Sequence, residues 1–178
     1  MTTSDERVQY LLSHIRDIPD FPKPGILFKD ITPMLGDARA FATAIDLLAE
    51  RYLDAKIDTV VGIESRGFLF AAPLAVRLGA GFVPARKPGK LPSKIDSVAY
   101  ALEYGTDRLE MHSDAIRPGS RVLIVDDVIA TGGTAWATRE LIRRQGGEVV
   151  GAAFLIELSF LSGRERIAPT VPFALITY

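Results

Sequence analysis

Hydrophobic positions recur along the chain in two rhythms. Val8, Leu11, Leu12 and Ile15 stand at i, i+3, i+4 and i+7, which predicts an amphipathic helix near the N-terminus. It must stop before "DIPDFPKPG", where three prolines forbid regular helix. A second helix is predicted over residues 38–53, with Phe41, Ile45, Leu48 and Tyr52 on one face. Further on, the apolar runs become short and nearly unbroken. "TVVGIESRGFLFAAPLAVRLGAGFVPA" reads as a strand, a tight polar turn, a helix and a second strand, a βαβ unit. "RVLIVDD", a loop, the helix "TAWATRELIRRQ" and the strand "EVVGAAFLIEL" form another. Between them, residues 97–112, "SVAYALEYGTDRLEMH", alternate and turn at Tyr104-Gly105-Thr106-Asp107, which predicts a hairpin. Such strands alternating with helices predict an α/β fold, a parallel twisted sheet flanked by helices on both faces. Ligands of that architecture sit beyond the carboxyl ends of the strands.

Length and composition narrow the function. The 178 residues are most simply one domain, enough to bury about 70% of the unfolded surface. With 48% hydrophobic residues and a formal net charge of -1, the chain has no bulk electrostatic reason to seek nucleic acid or a membrane. Neither is expected as a partner. The absence of cysteine excludes disulfide and thiolate chemistry and fits a reducing compartment. "MTTSDERVQYLLSHIRD" lacks a signal pattern, and the longest apolar stretch, residues 68–76, is too short to span a bilayer and contains Pro73. A cytoplasmic location is expected.

The chemistry concentrates in "VLIVDDVIATGGT". Ala130, Thr131, Gly132, Gly133 and Thr134 offer consecutive backbone N–H groups, two hydroxyls and two glycines where a helix begins. That suits one terminal phosphate. Asp126 and Asp127 repel the same phosphate as ions, so their oxygens need donors or a cation. A vicinal diol supplies two O–H donors, and Mg2+ can sit close by through water. A ligand with a phosphate at one end and a diol nearby is a ribose 5-phosphate. Other readings fail on spacing: a Walker loop needs a lysine and none follows Lys94, and a dinucleotide fingerprint needs G-x-G-x-x-G whereas Gly132 and Gly133 are adjacent. A phosphoacceptor receiver domain needs a later aspartate and lysine, and neither follows Asp127. His14 and His112 are too isolated to form a metal site, and Trp136 is expected to pack its helix onto the sheet.

A hydrophobic strand, two acidic residues and T-G-G-T resemble the phosphoribosyl-diphosphate signature of the type I phosphoribosyltransferases. The resemblance covers nearly the whole chain, through "IRDIPDFPKPGILFKDITPML", "GIESRGFLF", "RKPGKLP", "ALEYG" and "LIELSFLSGRERI", and it points to the adenine-using branch of that family. It implies one domain, with an N-terminal helix and small hood over about residues 1–35 and a flexible lid and hairpin over about residues 86–112. It also implies a homodimer and a Mg2+-dependent pentosyl transfer from 5-phosphoribosyl 1-diphosphate to adenine, a purine-salvage reaction giving AMP and pyrophosphate.

Site roles follow from the same resemblance. Asp126 and Asp127 would orient the ribose, with Mg2+ held mainly by substrate and reached by these carboxylates through water. Residues 130–134 would seat the 5-phosphate. Glu64, Ser65 and Arg66 would meet the pyrophosphate, with the Glu64–Ser65 peptide often cis in the family. Arg66 is the natural contact because a guanidinium forks onto two oxygens. Arg86, Lys87 and Lys90, in the basic loop "ARKPGKLPSK" that also holds Lys94, would form a lid that neutralises the leaving group and excludes water. Glu103, beside Tyr104 of the lid, would handle the purine proton. Backbone groups of Leu27, Phe28 and Lys29 would read the adenine edge, with its ring between Phe28 and Leu158. Ala130 stands where enzymes for 6-oxopurines usually carry an acid, which favours adenine. The alternatives are a sister enzyme for hypoxanthine, guanine, xanthine or orotate, and a non-catalytic regulator sensing the sugar diphosphate. A regulator would need a basic nucleic-acid-reading face, for which the near-neutral composition leaves little room.

Overall fold

Val8, Leu11 and Leu12 of the N-terminal stripe lie on helix α1 (Thr2–Leu12), which ends before Ile15, in the computed structural model, which describes residues 2–101 and 105–178. Two compact units make up the chain, Met1–Leu47 and Leu48–Tyr178. In the first, β1 (Arg16–Pro19) and β2 (Leu27–Asp30) pair antiparallel, with Ile18 opposite Phe28. The proline-rich link between them holds a cis Phe21–Pro22 bond. Asp30 accepts the Thr32 N–H at 2.9 Å and so starts the short helix α2 (Thr32–Gly36). Helix α3 (Ala38–Glu50) follows and stops at Glu50 rather than at Leu53. The Tyr52 N–H donates to Ala49 O, a tight turn that closes the helix early.

The second unit carries both expected βαβ units. Strand β3 (Thr59–Ile63), helix α4 (Gly67–Leu78) and strand β4 (Gly81–Ala85) form one. The hairpin β5 (Ile95–Ala101) and β6 (Thr106–His112) follows. Strand β7 (Arg121–Ile129), helix α5 (Gly133–Arg144) and strand β8 (Glu148–Glu157) form the other. A 3-10 turn (Ser159–Leu161), the short helix α6 (Gly163–Arg166) and strand β9 (Pro172–Thr177) complete the chain. The strands lie in the order β4-β3-β7-β8-β9, every pair parallel. The α/β fold is therefore as the sequence predicts.

From β3 the chain steps outward to β4, then returns past β3 to β7 and continues the opposite way. Right-handed crossovers in opposite directions put α4 and α5 on opposite faces. Val61, Ile63, Val122, Ile124 and Phe154 share one buried cluster with Leu141 of α5 and with Tyr100 and Met111 of the hairpin, and Trp136 packs against it. Strand alternation sends Val60, Leu123 and Val125 to the other face, and these are buried too. Burial on both faces is why the strands read as unbroken apolar runs.

Two local expectations need correction. Thr106 pairs with Ala101 and Asp107 with Tyr100, so both are strand residues, and β6 begins directly after Gly105. Gly105, at φ 88°, supplies the left-handed backbone there. Strand β7 also runs past the two aspartates to Ile129, because Val128 and Ile129 still pair with Ile156 and Glu157. Among the described residues no helix is long and apolar enough to cross a membrane.

Candidate active site

The connections leaving β3 and β7 diverge, and the crevice between their carboxyl ends is the topological switch point of the sheet. The turn after β3 carries Glu64, Ser65 and Arg66, with the Glu64–Ser65 peptide cis, as the resemblance implies. Across the crevice β7 carries Asp126 and Asp127, both buried. Arg66 Nη2 reaches Asp127 Oδ2 at 2.7 Å. Asp126 Oδ1 accepts the Asp127 N–H at 2.9 Å. Burial above all, with the neighbouring Asp127 charge, pushes the Asp126 carboxyl well above the usual carboxylate range. Helix α4 begins so close to β7 that a Cβ on Gly67 would lie 2.7 Å from Asp126 Oδ1.

Past Ile129, Gly132 takes a left-handed φ of 75° and α5 starts at Gly133. The loop of Ala130, Thr131, Gly132, Gly133 and Thr134 thus ends in the unbonded N–H groups of a long helix, a seat for an anion. Its back is α6. A Cβ on Gly163 would fall 2.2 Å from Ala130 O, and one on Gly132 would fall 2.4 Å from Gly163 O. Arg164 clamps this turn by its ion pair with Glu157 and by donating from Nη1 to Pro172 O at 2.9 Å. Leu158 is fixed beside the loop, its N–H donating to Ile129 O at 3.0 Å. Gly163, Arg164 and Glu157 escaped the sequence reading as individual residues. Their one signal was a glycine amid charges in "SGRER", which carries no chemistry until the fold places it.

The basic loop is held by carboxylates. Arg86 exchanges backbone hydrogen bonds with Glu110. Glu64 Oε2 accepts from Arg86 Nε at 3.2 Å and from the Lys87 N–H at 2.9 Å, and Oε1 accepts from Lys90 Nζ at 2.9 Å. Burial alone would raise the Glu64 carboxyl, but the bonds from Lys90, the Lys87 N–H and Arg86 outweigh it and hold it below its usual range. The Glu64 side chain therefore faces the bases of the basic loop. Lys87 Nζ donates to Asp107 and, at 3.0 Å, to Tyr100 Oη.

Leu27, Phe28 and Lys29 belong to the other unit, on β2, which has β1 as its one partner strand among the described residues. Phe28 meets the ring of Phe21 edge-on at 5.1 Å, and Lys29 Nζ donates to Asp17 Oδ1 at 2.7 Å. Leu27 is half exposed. Glu103 and Tyr104 lie outside the described residues.

This fold and crevice define a parallel α/β protein whose switch point joins an anion-seating loop to paired carboxylates. Residues 33–169 match the model of the phosphoribosyl transferase domain. The chain is 62% identical over 165 residues, 93% of its length and 82% of the relative's, to the adenine phosphoribosyltransferase of Sorangium cellulosum. The crystal structure of adenine phosphoribosyltransferase from Thermoanaerobacter pseudethanolicus superimposes with a TM-score of 0.94 at 53% identity, covering 96% of this chain and 99% of that one. That of Saccharomyces cerevisiae, complexed with D-2,5-dideoxy-2,5-imino-altritol 1,6-bisphosphate and adenine, gives 0.91 at 43% identity over 96% and 99%. The chain belongs to the phosphoribosyltransferase family, among its adenine phosphoribosyltransferases.

Proposed function

We propose that this chain transfers the 5-phosphoribosyl group of 5-phosphoribosyl 1-diphosphate to adenine, giving AMP and pyrophosphate. The observation that carries the reading is the Arg66–Asp127 pair, which joins the turn after β3 to the carboxylates and phosphate-type loop after β7. Residues 130–134 seat the 5-phosphate through backbone N–H groups, and Asp126 and Asp127 accept from the ribose hydroxyls. Arg66, Arg86, Lys87 and Lys90 face the departing diphosphate, whose developing charge they stabilise. The purine nitrogen attacks C1 from the opposite side as the C1–O bond breaks, with inversion, and Glu103 takes the proton that leaves the base. Glu64 contributes by ordering the bases of the lid.

Magnesium fits this donor set. Mg2+ takes one or two carboxylates together with substrate oxygens rather than a protein cage. Among the described residues no cluster of three or more metal-ligating side chains forms, whereas Asp126 and Asp127 stand together at the crevice. Bound there with the substrate, it would offset diphosphate charge and weaken the C1–O bond.

A homodimer in the cytoplasm completes the reading. Leu69, Pro73 and Val76 fall at i, i+4 and i+7 on α4, with Leu69 43% and Val76 83% exposed. Phe82, on the sheet-edge strand β4, is 39% exposed. This apolar stripe, flanked by the exposed Arg77, suits a second copy of the chain. The test of function is a base panel of adenine, hypoxanthine, guanine and orotate, each with 5-phosphoribosyl 1-diphosphate and Mg2+, counting nucleotide formed. Conversion of adenine alone is expected; conversion of another base would sink the specificity argument from Ala130.

A further inference from the structure

Lys87 is tied to two separate segments of the site. Its N–H donates to Glu64 in the turn after β3, and its ammonium donates to Asp107 and Tyr100 on the hairpin. Tyr100 and Asp107 are cross-strand partners in register. The Tyr100 hydroxyl donates in turn to Asp107 Oδ2 at 3.1 Å. The Tyr100 ring is buried against the first residue of α5, where a Cβ on Gly133 would lie 2.9 Å from Cδ2. So the group that holds the ammonium is itself seated on the phosphate-type loop.

Stability alone does not account for this arrangement. The Lys87 side chain is 36% exposed and that of Asp107 28%, and such partial solvation reduces what the pair adds to folding. Geometry does. A lysine side chain has four rotatable bonds and three N–H donors, and its freedom is lost whenever it binds an anion. Asp107 and Tyr100 take two donors among the described residues, which leaves the third for a phosphate oxygen.

We propose that Asp107 and Tyr100 are positioning residues that hold the Lys87 ammonium in place, ready for the diphosphate of the sugar substrate. This rests on the reading of Lys87 as a diphosphate contact. The test compares KM for the sugar diphosphate, KM for adenine and kcat in Lys87→Ala, Asp107→Ala, Asp107→Glu, Tyr100→Phe and the Lys87→Ala/Asp107→Ala double variant. Lys87→Ala should raise KM for the sugar diphosphate about 10-fold. Asp107→Ala should raise it about 5-fold with KM for adenine unchanged. Asp107→Glu should recover most of that loss, Tyr100→Phe should lose part of it, and the double variant should be no worse than Lys87→Ala. An unchanged KM in Lys87→Ala would remove the contact itself. A normal Lys87→Ala effect beside an unchanged or lowered KM in Asp107→Ala, or full additivity in the double variant, would overturn the positioning role alone.

Discussion

Arg66 Nη2 lies 2.7 Å from Asp127 Oδ2, so an ion pair spans the crevice between β3 and β7. The partners are unequal: the Asp127 side chain is 8% exposed and that of Arg66 38%. The arginine is thus the more solvated member of the pair, its charge shared between the carboxylate and water.

Arg66→Gln leaves the Asp127 charge buried without its cation and removes the forked donor. We expect kcat/KM for the sugar diphosphate to fall about 100-fold, with binding of adenine little changed. Unfolding free energy should drop by about 1–2 kcal/mol, less than for a fully buried pair because Arg66 is partly solvated. Steady-state kinetics with each substrate varied in turn checks the first claim, and a loss under 3-fold would remove Arg66 from the reaction.

Gly163 controls the phosphate-type loop without facing the crevice. Any side chain there meets Ala130 O at 2.2 Å and Gly132 N at 2.9 Å, backbone atoms of the loop that cannot swing aside as a flexible side chain can. Gly163→Ala should displace the loop, raising KM for the sugar diphosphate by about 10–100-fold. The cost to folding should be about 1–3 kcal/mol. A crystal structure of the variant with ribose 5-phosphate reads the displacement directly, and an unmoved loop would contradict it.

How much of this was legible in the sequence follows from the range of each interaction. The βαβ units and the β7–α5 loop are local, written in runs of a few residues, and these are as expected. Gly163 against Ala130, Lys87 against Asp107 and Glu64 against Lys90 join residues far apart in the chain, and no spacing rule reports them. Glu64 shows the limit: the resemblance implied a pyrophosphate contact through the turn "ESRG", and nothing in those four residues reports that the Glu64 carboxylate accepts from Arg86 and Lys90 of the basic loop. Strand β9 escaped because Pro172 opens it and only Pro172 and Ile176 are fully buried, too few to set a period.

Val76 offers a test of association apart from the site. It stands 83% exposed on the apolar stripe of α4, so a charge there costs the isolated chain almost nothing. Val76→Glu should turn a dimer into a monomer by light scattering at micromolar concentration, with the melting temperature of the monomer reported beside it. A variant that stays dimeric would move the interface elsewhere, and a monomeric parent would remove the proposed dimer.

Asp126 sets function against stability. Its carboxyl is raised well above the ordinary value of 3.8, first by burial and then by the charge of Asp127. Between that ordinary value and the raised folded one, the folded chain binds more protons than the unfolded chain, so this group makes stability fall as pH rises through the window. Above it, the folded state carries the buried charge at full cost. Asn at this position keeps an oxygen to accept the Asp127 N–H and carries no charge. Asp126→Asn should therefore melt higher than the parent at pH 8, with the gap closing as pH falls toward 4. Its kcat/KM for the sugar diphosphate should fall about 10–100-fold, the worth of a charge-assisted hydrogen bond to a ribose hydroxyl. Thermal unfolding at pH 4.5, 6 and 8 decides it: a gap independent of pH would mean that Asp126 is not the group whose burial opposes folding, and a lower melting temperature at pH 8 would mean that its charge is matched by partners beyond Arg66.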